Sequence, residues 1–191
     1  MNDDYTFIDV AIQTLNNGGT LLYPTDTIWG LGCDATQPSA VEKIYAIKRR
    51  DHSKSMLILC GDMAMVEHFV GMPTEEAARL LVDPSRPTTV IMPLQQHLLA
   101  SNLAASDGTI GVRIPRNDFC HALLARFGRP IVSTSANFSG RRSPASYADI
   151  EEALKRAVDY AMPPECGTLS GGIASRIVKV MSDGSISVLR D

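Results

Sequence analysis

The chain has 191 residues, 45% of them hydrophobic and 20% charged, the makeup of one globular domain with a sizeable core. With 18 Lys and Arg against 21 Asp and Glu, the net charge of -3 argues against a protein that binds nucleic acid through its whole surface, and leaves room for a local basic site. Cys33, Cys60, Cys120 and Cys166 form no CxxC pair and read as reduced, mostly buried thiols; a domain of this size buries roughly 70% of its unfolded surface and needs no disulfide or metal.

The N-terminal run MNDDYTFIDVAI is acidic where an export signal is basic. Apolar runs such as MLIL at 56–59 are far shorter than the ~20 residues that cross a bilayer. A cytoplasmic address and a single domain over 1–191 are therefore expected, with no membrane contact.

In chain order, Phe7, Ile8, Ala11, Ile12 and Leu15 recur at helical spacing, and Asn17-Gly18-Gly19 closes the pattern. Thr20 to Tyr23 reads as a strand that delivers the polar turn Pro24-Thr25-Asp26-Thr27. Ser39 is placed to cap a second helix, with Glu42 completing a capping box and Val41, Ile44, Tyr45 and Lys48 sharing one face. A strand over 56–60, helices over 62–70 and 74–82 and a strand over 88–92 follow. Next come a strand over 109–114, a helix over 118–127 ended by Gly128, a strand over 130–133, and a helix over 147–158. The tail, 175–181 and 185–189, alternates around Asp183-Gly184 as a hairpin does. The alternation defines an α/β chain without repeats or linkers.

Ligands of α/β sheets usually sit beyond strand ends, in loops held by a rigid scaffold, and four places there carry chemistry. The stretch from Lys48 to Ser55 sets four cations within seven positions; it suits a triphosphate, but taken alone it reads rather as a solvated helix end whose cations complement the dipole. Ser133-Thr134-Ser135-Ala136-Asn137 can donate to phosphate or carboxylate oxygens, and the same residues through Gly140 are good turn chemistry. Arg113 stands inside a strand, where a buried cation must face a cavity or hold a partner; an exposed strand face is the alternative. The fourth place is Thr25-Asp26-Thr27. Trp29 is either a stacking platform or a packing residue.

Several chemistries lack their motifs. GxxxxGK[ST] and GxGxxG are absent, so a nucleotide would have to be held in another way. His52, His68, His97 and His121 never pair with the cysteines at metal-ligand spacing, and no GxSxG elbow supports a serine hydrolase.

Taken together and in order, five pieces resemble the YrdC-like threonylcarbamoyl-AMP synthase family over nearly the whole chain. They are the run GGTLLYPTDTIWGLG at 18–32, Lys48-Arg49-Arg50 as a KxR element, Arg86-Pro87-Thr88-Thr89, Gly111-Val112-Arg113-Ile114-Pro115, and Ser135-Ala136-Asn137 as an SxN element. The resemblance implies a twisted mixed sheet with flanking helices, curled around a large electropositive cavity that holds ATP and threonine side by side. By the same resemblance Lys48, Arg50, Lys54, Thr109, Ser135, Asn137, Ser143 and Arg190 contact ATP, with Lys48, Arg50, Ser135 and Asn137 carrying catalysis. Thr25, Arg113, Ser133 and Ser175 form the threonine pocket, Arg113 on the carboxylate.

The implied reaction joins L-threonine, bicarbonate or CO2, and ATP into threonylcarbamoyl-AMP and pyrophosphate, with Mg2+ on the phosphates rather than in a carboxylate cage. The product would pass to a partner transferase complex that modifies adenosine in tRNA. Where the family often has a Ser-Thr pair, Ser175 is followed by Arg176. The chain matches the short form, without the second C-terminal domain of longer members. The rival expectations are an RNA-binding module of this fold, with tRNA or double-stranded RNA in the cavity, and a paralogue acting on another substrate; the acidic balance and few stacking aromatics weigh against the first.

Overall fold

A computed structural model of the chain describes residues 3–54, 56–167, 172–181 and 185–191. The first helical pattern becomes α1 (Asp3–Asn16), which buries Ile8, Ala11 and Leu15. It stops at Gly18, whose φ of 69° is the left-handed value that favours glycine, and the Gly18 and Gly19 amides close the last turn on the Leu15 and Thr14 carbonyls.

Among the described residues nine strands form one sheet: β1 (Thr20–Tyr23), β2 (Gly30–Cys33), β3 (Leu57–Leu59), β4 (Thr88–Pro93), β5 (Thr109–Arg113), β6 (Ile131–Ser135), β7 (Tyr160–Ala161), β8 (Arg176–Val180) and β9 (Ile186–Arg190). Their spatial order is β7-β1-β2-β6-β3-β5-β4-β8-β9. The sheet is mixed, with parallel pairs β1/β7, β3/β5 and β4/β8 among antiparallel neighbours. The remaining helices are α2 (Pro38–Lys48), α3 (Met63–Phe69), α4 (Glu75–Val82), α5 (Asp118–Phe127) and the short α6 (Glu152–Lys155).

Strand alternation divides the work of the sheet. Ile58, Val90, Ile110, Val112, Val132 and Val178 are all buried and belong to one apolar core with helix residues such as Ile44 and Leu124. Full burial of each such aliphatic side chain stabilises the fold by about 1.5–3 kcal/mol. The alternate positions carry Ser133, Leu57, Gly111, Ile91 and Lys179, which are register partners across β6, β3, β5, β4 and β8. That row belongs to the wall of a cavity.

Several local expectations are corrected. Ser39 does not cap α2: Gln37 is the N-cap, its side chain donating to Asp34 instead of capping the helix, and Pro38 opens the helix, a first position that its missing N–H and fixed φ suit. The strand expected over 130–133 continues to Ser135, so the hydroxyl run lies in the sheet rather than in a loop. The helix expected over 147–158 is a 3-10 turn (Tyr147–Asp149) followed by α6. Between them Ile150 is extended and buried, and the reciprocal Ser146–Asp149 cap closes the first turn on itself. β2 and β7 were not anticipated. The turn at Asp183-Gly184 lies outside the described residues, although β8 and β9 pair antiparallel as a hairpin requires.

Cys33, Cys60 and Cys120 are buried free thiols whose pKa values burial pushes up, and Cys166 is half-buried. Among the described residues no helix is long and apolar enough to cross a membrane.

Candidate active site

The cavity has a volume of about 430 Å³, within the range of ~300–1,000 Å³ usual for small-molecule sites. It is built over one face of the sheet, not only at strand ends as the sequence suggested. On β5, Thr109, Gly111 and Arg113 share that face, and Gly111 keeps its centre low: a Cβ there would stand 3.2 Å from Leu57 Cβ and 3.3 Å from Thr89 Cγ2.

Arg113 is 3% exposed. Its Nη1 donates to Thr27 Oγ1 at 2.7 Å, its Nη2 reaches Thr25 Oγ1 at 3.4 Å and lies 3.5 Å from Asp26 Oδ1, and its buried Nε has no hydrogen-bond partner. Thr25 Oγ1 also donates to the Ile28 carbonyl and lies 2.9 Å from Thr27 Oγ1. Asp26 accepts from the Arg116 amide, which fixes the carboxylate beside the guanidinium. The turn after β1 therefore serves as a socket for a strand cation: Arg113 has both a partner and a cavity, and the exposed strand face is ruled out.

On the β8 side, Ser175 Oγ and Thr89 Oγ1 form a buried hydroxyl pair at 2.8 Å. Arg190, near the end of the chain, clamps the Ser175 carbonyl through Nε at 3.0 Å and Nη2 at 2.7 Å. Burial and the nearby charge of Arg113 lower its pKa. Asp107 accepts from the amide and hydroxyl of Thr109 and from Lys179 Nζ at 2.7 Å, bonds that hold its pKa down to about 2. Among the described residues, Arg50, Arg113, Lys179 and Arg190 thus face the cavity against the single carboxylate of Asp107.

Nine of the twelve residues singled out from the sequence line this cavity: Thr25, Arg50, Thr109, Arg113, Ser133, Ser135, Ser143, Ser175 and Arg190. Lys48, Lys54 and Asn137 do not. Lys48 is 1% exposed, and its ammonium donates to the backbone carbonyls of Ser135 and Asn137. Lys54 is exposed, and its carbonyl accepts from Arg50 Nε. Asn137 spends its amide hydrogens on the Phe138 and Arg141 carbonyls. Ser55 lies outside the described residues. Trp29 is buried with its ring edge-on to Tyr147 at 4.8 Å, a packing residue that also touches the cavity.

Of the other wall residues, sequence reasoning gave Thr27, Thr89 and Gly111 only as parts of a turn or of the resembling pieces, with no role, and missed Lys179 altogether. Three of the four carried a legible signal, since Thr89, Gly111 and Lys179 sit two positions from another cavity residue on the same strand. No group of three or more His, Cys, Asp or Glu among the described residues is placed to hold a metal ion.

A mixed α/β sheet whose one face carries several cations, hydroxyls and a buried guanidinium defines a domain built to hold an anionic small molecule. The chain belongs to the Sua5/YciO/YrdC family, whose model, described as "Telomere recombination", matches residues 13–191. It is 34% identical over 166 residues to the threonylcarbamoyl-AMP synthase of Xanthomonas euvesicatoria pv. vesicatoria, covering 85% of this chain and 88% of that relative. Among solved structures it resembles P. abyssi Sua5 complexed with L-threonine, with a TM-score of 0.87 and 24% identity over 98% of this chain; it spans 54%, about half, of the Sua5 chain. It also resembles E. coli YciO, with a TM-score of 0.78 and 24% identity, over 97% of this chain and 89% of that one.

Proposed function

We propose that this chain is an L-threonylcarbamoyladenylate synthase. The observation that carries the reading is the Arg113 socket: a buried guanidinium, still holding an unpartnered Nε, in the wall of a cavity that Arg50 and Arg190 enter from other elements. A buried, oriented fork is the group that recognises a carboxylate with two parallel bonds, and the surrounding hydroxyls suit the rest of a small hydroxy amino acid. The curated relatives carry the same activity in their names, and a Sua5 structure holds L-threonine.

In this reading Arg113, Thr25, Ser133 and Ser175 hold L-threonine, and Arg50, Thr109, Ser135, Ser143 and Arg190 hold ATP. The threonine amine attacks CO2 drawn from bicarbonate, forming a C–N bond and a carbamate with loss of one proton. A carbamate oxygen then attacks the α-phosphorus, the bond from that phosphorus to its bridging oxygen breaks, and pyrophosphate leaves. The chain's own contribution is to hold the three reactants in line and to set fixed cations around the phosphoryl group. No covalent enzyme intermediate is needed. A magnesium ion would be held by the nucleotide's own phosphates, since Asp107, the carboxylate of the cavity wall among the described residues, is already engaged by Thr109 and Lys179. The adenylate would be handed to a transferase that modifies adenosine in tRNA. ATP as substrate and reduced thiols together support a cytoplasmic address.

The test is pyrophosphate release by the purified chain with threonine, bicarbonate and ATP supplied together or one omitted, the adenylate being identified by mass. Release that needs all three supports the reading. Absence of release, with RNA binding that weakens steeply with salt, would replace it by the RNA-binding alternative.

A further inference from the structure

The KxR element sends its two cations to different tasks. Lys48, the last residue of α2, is packed inside the protein, and its Nζ donates to the Ser135 carbonyl at 2.5 Å and to the Asn137 carbonyl at 2.7 Å. Its own carbonyl accepts the Ser139 amide at 2.9 Å. One residue thereby grips the turn after β6 at three points.

The neighbours complete the grip. Arg49 takes the left-handed conformation, φ 51°, and carries its guanidinium over the Phe138 ring at 5.1 Å. Asn137 ties the far side through Phe138 and Arg141. A non-glycine residue held at positive φ is strained, and such strain persists only where the surroundings over-determine it.

We infer that Lys48 is a positioning residue, an internal brace that fixes the turn from Ser135 to Ser139, and that Arg50 alone of this motif offers charge to a bound triphosphate. Two carbonyl oxygens, acceptors that repel a phosphate, are engaged by the ammonium, and two of its three donors are used in doing so. Ser135 keeps its place in the cavity wall, as does Arg50, whereas Lys48 has none. The consequence for turnover rests on the nucleotide reading above; the brace itself does not.

The deciding experiment is hydrogen exchange on the ligand-free Lys48→Met protein, with ATP affinity followed against salt in Lys48→Met and Arg50→Gln. Loss of two charge-assisted bonds should speed exchange of the amides over 136–141 by about tenfold or more, leaving α5 unchanged. Lys48→Met should weaken ATP while keeping the salt dependence of the natural chain, and Arg50→Gln should flatten it. Unchanged exchange over 136–141, or a salt dependence flattened in Lys48→Met as in Arg50→Gln, overturns the brace and makes Lys48 a phosphate ligand.

Should Lys48→Met fail to fold, nitrogen NMR of the natural chain decides the same point. On adding MgATP the Arg50 Nε signal should move and the Lys48 Nζ signal should not; a moved Lys48 signal overturns the inference. If ATP fails to bind at all, the nucleotide reading fails, and the exchange result on the ligand-free protein still judges the brace.

Discussion

The guanidinium of Arg113 donates to the hydroxyl of Thr27 at 2.7 Å, although β5 and β1, which lead to these residues, stand apart in the sheet with β2, β6 and β3 between them. The turn after β1 reaches over the sheet face to meet a strand cation. That reach makes the proposed threonine site a product of two distant segments.

Arg113→Lys keeps a charge but loses the planar fork. Threonine affinity should fall by about 10- to 100-fold, the worth of charge-assisted bonds, while ATP affinity changes little. Titration calorimetry with each ligand separately checks both halves.

Asp26 is almost fully enclosed beside Arg113 and also accepts the Arg116 amide. Asp26→Asn removes the counter-charge and leaves a buried guanidinium uncompensated, a loss of about 3 kcal/mol in unfolding free energy. Urea denaturation, with the slope unchanged, measures it.

Thr89→Val keeps volume and removes one member of the hydroxyl pair with Ser175. Stability should drop by about 1 kcal/mol, and threonine should bind several-fold more weakly if Ser175 touches it. Arg190→Ala, which frees the Ser175 carbonyl, should weaken both ligands instead. The contrast between the two variants is read in the same calorimeter.

Gly32 lies in β2 against Tyr23 and β6, and a Cβ there would meet the Val132 carbonyl oxygen at 2.5 Å and Tyr23 Cε1 at 2.7 Å. Gly32→Ala should therefore destabilise by about 1–3 kcal/mol through overpacking, seen as a lowered melting temperature.

Burial, with the nearby Arg50 charge, lowers the Lys48 pKa from 10.5 to about 7. The unfolded chain then binds more protons than the folded one between those values, so this group makes stability rise with pH from about 7 to about 10 and adds no slope below 7. Lys48→Met should flatten that rise, measured as unfolding free energy at a series of pH values.

Local pattern made much of this legible. The helical spacing of Phe7 to Leu15 and the strand at 20–23 were readable because their signals lie within a few residues of one another. In Thr109-Ile110-Gly111-Val112-Arg113 the alternate positions divide between cavity and core, a period-two pattern that the sequence carried and that the structure made readable. What failed locally failed for tertiary reasons. β2 is a glycine-rich strand that exists because β1 and β6 flank it, and the helix expected over 147–158 gives way to buried Ile150 and to β7 pairing with β1.

The sequence by itself determined the α/β alternation, the reduced cysteines and the residue types of a site for an anionic ligand. Only the tertiary structure decided which cations converge: Arg50, Arg113 and Arg190 in the cavity wall, Lys48 inside, Lys54 outside. The reason is range. Propensity and periodicity act over a turn or two of chain, whereas the bond from Lys48 to Ser135 spans 87 residues and that from Arg113 to Thr27 spans 86, distances at which only packing of the sheet brings groups together.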